Sequence, residues 1–465
     1  MSIHYDPINL SAQMVGAAHG LTAAQVAEAA PRAAAALAGF RASFEAGRYG
    51  FPALPDDKEL ISAIVQYAKS AAGEFDTVCV VGIGGSALGA WALDCGLRGP
   101  HPLQKAFSTK NPRLVILDNV DPVFIANALA SMNPKRTLVV PIAKSGSTAE
   151  TMAALLVVQE WLTKALGAKK ALKRLVVVTS KERGDLKKFA VSHDLPTFHL
   201  PENVGGRFSV LSAVGLVPAA LTGVDIRKLT KGAAAMTKLC WNEDLKQNIA
   251  LRSALHHYLI WTSRKKSIQV MFPYSNQLWG MAFWFRQLWA ESLGKAVNRK
   301  GKKVHVGQTP VAALGATDQH SQVQLYIEGP NDKVFTLLAV GKWADQGRIA
   351  KGKTGYDSFD YLTGQSLAKL IDSEREATAA ALTANGRPNC TLTIDRLDEE
   401  HLGALIQLFE FQTAFMGELL DIDAFDQSGV ELGKVFTFGL MGREGYQQYL
   451  DEFKAYQAKR AAVKL

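Results

Sequence analysis

The chain runs to 465 residues, 48% of them hydrophobic, which is ample for two or three packed domains and excludes an intrinsically disordered polymer. No uninterrupted apolar stretch reaches the roughly 18 residues of a membrane span, and the start, MSIHYDPINL, lacks the basic and apolar segments of a signal peptide, so a cytoplasmic protein is expected. A net charge of +9 suits acidic partners, but the basic clusters Arg264-Lys265-Lys266 and Arg299 to Lys303 are not interleaved with aromatics and accompany no helix-turn-helix or zinc-finger pattern. Solvated faces are expected there rather than a nucleic-acid footprint, and small phosphorylated molecules suit the charge equally well.

In chain order, residues 1–50 predict an alanine-rich helical segment, broken at Pro31 and ended by Gly47 and Gly50. After a helical piece near Ile61 to Ala71, short apolar runs alternate with helical stretches: TVCVV from Thr77, RLVILD from Arg113, TLVVPI from Thr137 and RLVVVT from Arg174. Runs apolar on both faces predict a parallel sheet with crossover helices, here a first domain over residues 51–230 that leads into a long basic helical region, Ile226 to Lys265. The alternation returns in SIQVMF, VQLYIE from Val323, VFTLLAV from Val334 and TLTI from Thr391, a second domain over residues 231–420. EHLGALIQLFEFQTAFMGELL is apolar at helical spacing, and residues 421–465 close the chain as a helical segment. The expected fold is therefore α/β, with two doubly wound, mainly parallel sheets and additional N- and C-terminal helices, packed together because no low-complexity linker separates them. Cys79, Cys95, Cys240 and Cys390 are scattered without a C-x-x-C pair, which argues against a disulfide framework and a zinc site; no metal is expected.

In TVCVVGIGGSALGAWAL a strand runs through glycines into a helix. The dinucleotide pattern fits Gly82, Gly84 and Ala87, but the first strand-terminal acid, Asp118, comes more than 30 residues after Gly84, where such a site wants one after about 20. A triphosphate loop fails too, because Ala90 and Trp91 follow Gly89 where Lys and Ser or Thr are required. What remains is a turn of free backbone N–H groups with one hydroxyl, Ser86, suited to an anion or a sugar hydroxyl. LVVPIAKSGSTAET adds Lys144, Ser145, Ser147 and Thr148 at a second strand-to-helix turn, donors of the kind and number that meet a phosphate monoester; the alternative is a polar capping turn with Lys144 in solvent. Two such loops at strand carboxyl ends place a phosphorylated small molecule in the sheet crevice.

Trp284, Leu288 and Glu291 recur at helical spacing in GMAFWFRQLWAESLGK, so Glu291 lies on or beside an apolar stripe. Desolvation there would suit it to general-base work near neutral pH, while a surface pairing with Lys295 at i+4 is the alternative. His320, expected just before a strand, and Lys434 pass equally as structural or surface residues. Arg207 follows Gly205 and Gly206, and paired glycines let backbone approach a ligand closely.

GIGGSALG, KSGSTAET, GGRFSVLSAVGL, FRQLWAESLGK, GATDQHSQ and FDQSGVELGK resemble, in that order, the successive motifs of the glucose-6-phosphate isomerase family, over roughly Thr77 to Lys434. The resemblance implies two sugar-isomerase domains, a homodimer with active sites at the subunit interface, and cofactor-free interconversion of glucose 6-phosphate and fructose 6-phosphate through a cis-enediol, a step of glycolysis and gluconeogenesis. It further implies that Ser86, Lys144, Ser145 and Thr148 hold the phosphate, with Ser147 supporting their loop, Gly85 and Gly206 lining the sugar and Gln427 binding its hydroxyls. Glu291 becomes the base and Arg207 the enediolate stabiliser. His320, from the partner subunit, and Lys434 assist ring opening. One departure stands out: the family's phosphate loop commonly begins Ser-Lys-Thr, whereas here Ala143 precedes Lys144 and Ser145. One hydroxyl is absent, worth roughly 1.5 to 3 kcal/mol at most, so weaker affinity with unchanged chemistry is expected. A non-catalytic sugar-phosphate sensor would carry a DNA-binding unit that is not visible here, and a side activity on mannose 6-phosphate stays open.

Overall fold

The computed structural model describes residues 3–100, 108–146 and 148–463. The chain enters as strand β1 (Ile3–Asp6), where a helical start was expected, and β1 pairs antiparallel with the edge of the second sheet, Tyr5 opposite Leu392. After the short helix Ala12–Val15, the long helix Ala23–Glu45 runs unbroken through Pro31. A proline removes one backbone donor from a helix. Here burial outweighs that cost: Ala33, Leu37 and Phe40 are buried, and the Phe40 ring lies 5.7 Å from those of both Phe411 and Phe415.

The first sheet comprises β2 (Thr77–Val81), β3 (Arg113–Leu117), β4 (Thr137–Ala143), β5 (Val177–Ser180) and β6 (Thr197–Leu200). All its pairings are parallel and its order is β3-β2-β4-β5-β6. Every residue of β2 and β4 is buried, as expected of strands covered on both faces. The order reverses between β2 and β4, and in such sheets ligands bind at the carboxyl ends of the strands flanking the reversal. The turn after β2 is GIGGS, and the loop after β4 opens at Lys144.

The second sheet is built from β7 (Ile268–Pro273), then, after an antiparallel ribbon of β8 (Lys295–Val297) and β9 (Lys303–Val306), from β10 (Thr309–Ala312), β11 (Lys333–Lys342) and β12 (Asn389–Arg396). Its order is β1-β12-β11-β7-β10, parallel apart from β1. Two sequence expectations differ here. VQLYIE is the helix Val323–Glu328, because a six-residue apolar run fits either period; Tyr326 anchors it against Phe272 and Phe335. The region from Ile226 to Lys265 is two helices, Ile226–Cys240 and Ile249–Arg264, separated where Asn248 caps the second through its bond to the Leu251 N–H. Nor are the basic clusters wholly solvated: Lys266 is 1% exposed and donates to Asn331 Oδ1 at 2.7 Å, and Arg299 pairs with Glu418.

Helix Glu399–Leu419, buried almost throughout, packs on Ala23–Glu45, Ile226–Cys240, Ile249–Arg264 and Trp279–Leu293. Both sheets therefore belong to one compact unit ending at Ala424. Phe425–Leu465 forms a separate unit with helices Glu431–Leu440 and Gln447–Ala462. No helix among the described residues is long and apolar enough to cross a membrane.

Candidate active site

The turn after β2 needs its glycines for contact with the protein itself. Gly84 has φ +58°, and a Cβ there would lie 2.9 Å from Gln287 Nε2. A Cβ on Gly85 would fall 2.3 Å from the Gly206 carbonyl carbon, so the Gly84–Ser86 turn sits backbone to backbone on the Gly206–Phe208 turn. Gly205 and Gly206 themselves leave room for a Cβ against the protein, with nearest atoms at 4.0 and 3.9 Å. Ser86, half-buried, completes the turn before helix Leu88–Arg98.

That helix packs tightly on Trp279–Leu293, the helix that carries Glu291. A Cβ on Gly280 would lie 3.0 Å from Ala92 Cα, and Trp91 meets Phe283 edge-on at 5.2 Å. The contact brings Gln287 over the glycine turn, one helical turn before Glu291, whose Oε1 accepts from Gln287 Nε2 at 3.2 Å. Arg207 approaches from the other side, its Nη1 3.4 Å from Glu291 Oε2. The guanidinium is buried, and donates through Nε to Ser292 Oγ and through Nη2 to the Ala424 carbonyl, both at 2.7 Å. The Glu291 side chain is 31% exposed, less enclosed than its apolar stripe suggested, because it stands at the helix end and faces Arg207. Lys295 does contact it, but through Nζ to the Glu291 carbonyl at 2.9 Å.

The loop after β4 lies beside the glycine turn, since β2 and β4 pair with Val81 opposite Pro141. Gly146 has φ +64°, and a Cβ there would be 2.4 Å from the Leu186 nitrogen. Thr148 caps helix Ala149–Leu166 by its backbone, its hydroxyl making no capping bond. Ser145 begins the loop, and Ser147 lies outside the described residues. Lys144 is not in free solvent: Nζ donates to the Glu202 and Val204 carbonyls and stands 3.8 Å from Glu202 Oε2, and burial holds its pKa below that of an ordinary lysine. The Ser180 hydroxyl also donates to Glu202, and Arg183 lies 3.8 Å from its Oε2. Glu202 lies three residues before Gly205-Gly206-Arg207, so the segment that holds Lys144 continues into the turn that packs on Gly85 and brings Arg207 to Glu291. The methyl of Ala143 is 3% exposed in the apolar cluster beneath helix Ala149–Leu166. A hydroxyl there would sit among apolar side chains, contrary to the expected gap in the phosphate loop.

His320 ends an exposed turn, Thr317–His320, after β10 and before a helix rather than a strand. Gln319 in that turn accepts a 2.8 Å bond from the hydroxyl of Tyr274, which follows β7, so the turn is anchored at the carboxyl edge of the second sheet. Gln427 and Lys434 belong to the Phe425–Leu465 unit; both are exposed, and Lys434 Nζ donates to Glu431 Oε1 at 2.8 Å. Sequence reasoning missed Gln287, Ser292 and Glu202. Gln287 had a local signal, standing at i−4 from Glu291. The other two become visible only when distant segments meet. Among the described residues no group of His, Cys, Asp or Glu is arranged to hold a metal ion. The chemistry the cluster can perform is proton transfer to a carboxylate beside a buried cation.

The phosphoglucose isomerase family model matches residues 58–455. The chain is similar to a glucose-6-phosphate isomerase of Carboxydothermus hydrogenoformans, 42% identical over 90% of each chain, and to one of Thermus thermophilus, 40% identical over 83% of this chain and 89% of the other. Among solved structures it superposes on a hypothetical protein of Thermus thermophilus at TM-score 0.84, with 35% identity, covering 95% of this chain and 100% of that one. It also superposes on a glucose-6-phosphate isomerase of Chlamydia trachomatis at TM-score 0.73, with 26% identity, covering 86% and 77%.

Proposed function

This chain belongs to the phosphoglucose isomerase family, and from that membership we infer that it interconverts D-glucose 6-phosphate and D-fructose 6-phosphate, a step of glycolysis and gluconeogenesis. The observation that supports our assignment of roles is the 3.4 Å pair of Glu291 and buried Arg207 beside the Gly85 turn. Glu291 removes the C2 proton of the open-chain aldose as the C1 carbonyl oxygen takes up a proton, giving a cis-enediol; the same carboxyl then returns its proton to C1 of the enediol while the C2 hydroxyl gives up its proton, leaving the ketose carbonyl at C2. Arg207 stabilises the negative charge that develops on the enediol oxygens. Lys144, Ser145, Thr148 and Ser86 hold the phosphate, Ser147 supports their loop, and Gly85, Gly206 and Gln427 line the sugar. For Lys144 this requires the phosphate to compete with Glu202. His320 and Lys434 open the hemiacetal ring. We place the enzyme in the cytoplasm as a homodimer, His320 of the partner subunit completing each site. No metal or organic cofactor takes part in this scheme.

A coupled assay on fructose 6-phosphate and mannose 6-phosphate, run with a metal chelator, tests the function. Turnover of fructose 6-phosphate that survives chelation is expected. Absence of turnover, or loss on chelation that zinc restores, would contradict the reading.

A further inference from the structure

Ser292 has no counterpart among the residues assigned above, yet it is fully buried and its Oγ accepts the Nε–H of Arg207 at 2.7 Å. It directly follows Glu291, so one helical backbone carries both the proposed base and the acceptor that orients the proposed cation. A guanidinium is a flat fork whose donors point in fixed directions. Seating Nε on Ser292 and Nη2 on the Ala424 carbonyl fixes the plane and turns Nη1 toward Glu291 Oε2. Removing the Ser292 oxygen releases the Nε anchor while leaving Arg207 buried and charged.

We propose that Ser292 is a positioning residue for the isomerisation: it acts through Arg207, holding the guanidinium where enediolate charge develops, and does not touch the substrate. The proposal rests on the roles given above to Arg207 and Glu291. Cation stabilisation depends on orientation at the reacting atoms, so the loss should appear in turnover rather than in ground-state binding.

The test is a double-mutant cycle on the full-length enzyme, with Ser292→Ala, Arg207→Lys and both together, each checked for folding by circular dichroism. Ser292→Ala is expected to lower kcat about 10- to 100-fold with KM within about threefold. In the Arg207→Lys background, where no Nε exists, the same change should have little further effect. Ser292→Thr, which retains the oxygen, should recover most of the turnover. If Ser292→Ala does not fold, Ser292→Cys takes its place, as a weaker acceptor of similar size. Wild-type turnover in the alanine variant, or an equal loss in both backgrounds, overturns the positioning role alone. If Arg207→Lys itself turns over like wild type, the reading of Arg207 fails, and this proposal with it.

Discussion

Glu291 stands between two donors, Gln287 at 3.2 Å and Arg207 at 3.4 Å, with 31% of its side chain exposed. Glu291→Gln preserves volume and removes the proton acceptor. General-base catalysis contributes about 10² to 10⁴ in rate, so turnover should fall at least a hundredfold while substrate binding stays within roughly tenfold. Exchange of the substrate C2 proton with solvent, followed by NMR in deuterium oxide, should disappear in step with isomerisation, and ring opening should survive. A variant that keeps more than about a tenth of its turnover would make Glu291 a structural partner of Arg207 and send the search for the base elsewhere.

At the scale of elements, the two phosphate-side loops behave differently. The glycine turn is held by backbone packing against Gly206 and by Gln287, whereas the Lys144 loop adds a cation that donates to carbonyls and stands beside a carboxylate. Ala143, the last residue of β4, belongs to the strand's buried face and not to the loop's open surface. Ala143→Ser would bury a hydroxyl among apolar side chains, so the variant should lose about 1 to 3 kcal/mol of stability in urea unfolding. Its KM for fructose 6-phosphate should stay within about twofold. A several-fold fall in KM would instead mean that the hydroxyl reaches the phosphate.

Across the whole molecule, opposing titrations are buried on two helices that pack together, Ile249–Arg264 with His256 and His257, and Glu399–Leu419 with Glu410. Burial lowers His256 to about 3 and His257 to about 4, so the fold holds both imidazoles neutral. Their unfolded forms take up protons below about pH 6.5, and stability is lost as pH falls from there, by about 1.4 kcal/mol per histidine between pH 7.5 and 5.5. Glu410, 0% exposed, has its carboxyl pushed well up by burial, which has the opposite sign: it favours folding at low pH and is lost as pH rises toward its folded value. Over this window Glu410 therefore opposes the two histidines. Glu410→Gln should expose the histidines, becoming less stable by about 3 kcal/mol between pH 7.5 and 5.5 in denaturant titrations, and equal slopes for the two proteins would refute this balance. Assembly is tested by mixing inactive Glu291→Gln and His320→Ala subunits. Hybrid dimers should regain part of the activity, and none after verified subunit exchange would confine His320 to its own subunit.

The glycine turn, the KSGST loop, most of the parallel strands and the apolar helix bearing Glu291 were all legible in the chain, because each is specified within a dozen residues by glycine conformation, donor chemistry or hydrophobic period. Short apolar runs such as VQLYIE were not, since their period is ambiguous until packing selects the helix. Nor was the pairing of β1 with β12, which depends on an edge hundreds of positions away. Arg207 and Glu291 were each singled out, but their ion pair spans 84 residues, and nothing local sets that distance. The tertiary structure alone decided it, by packing helix Leu88–Arg98 on Trp279–Leu293 and the Gly206 turn on Gly85, contacts whose geometry depends on how two separately specified sheets fit together.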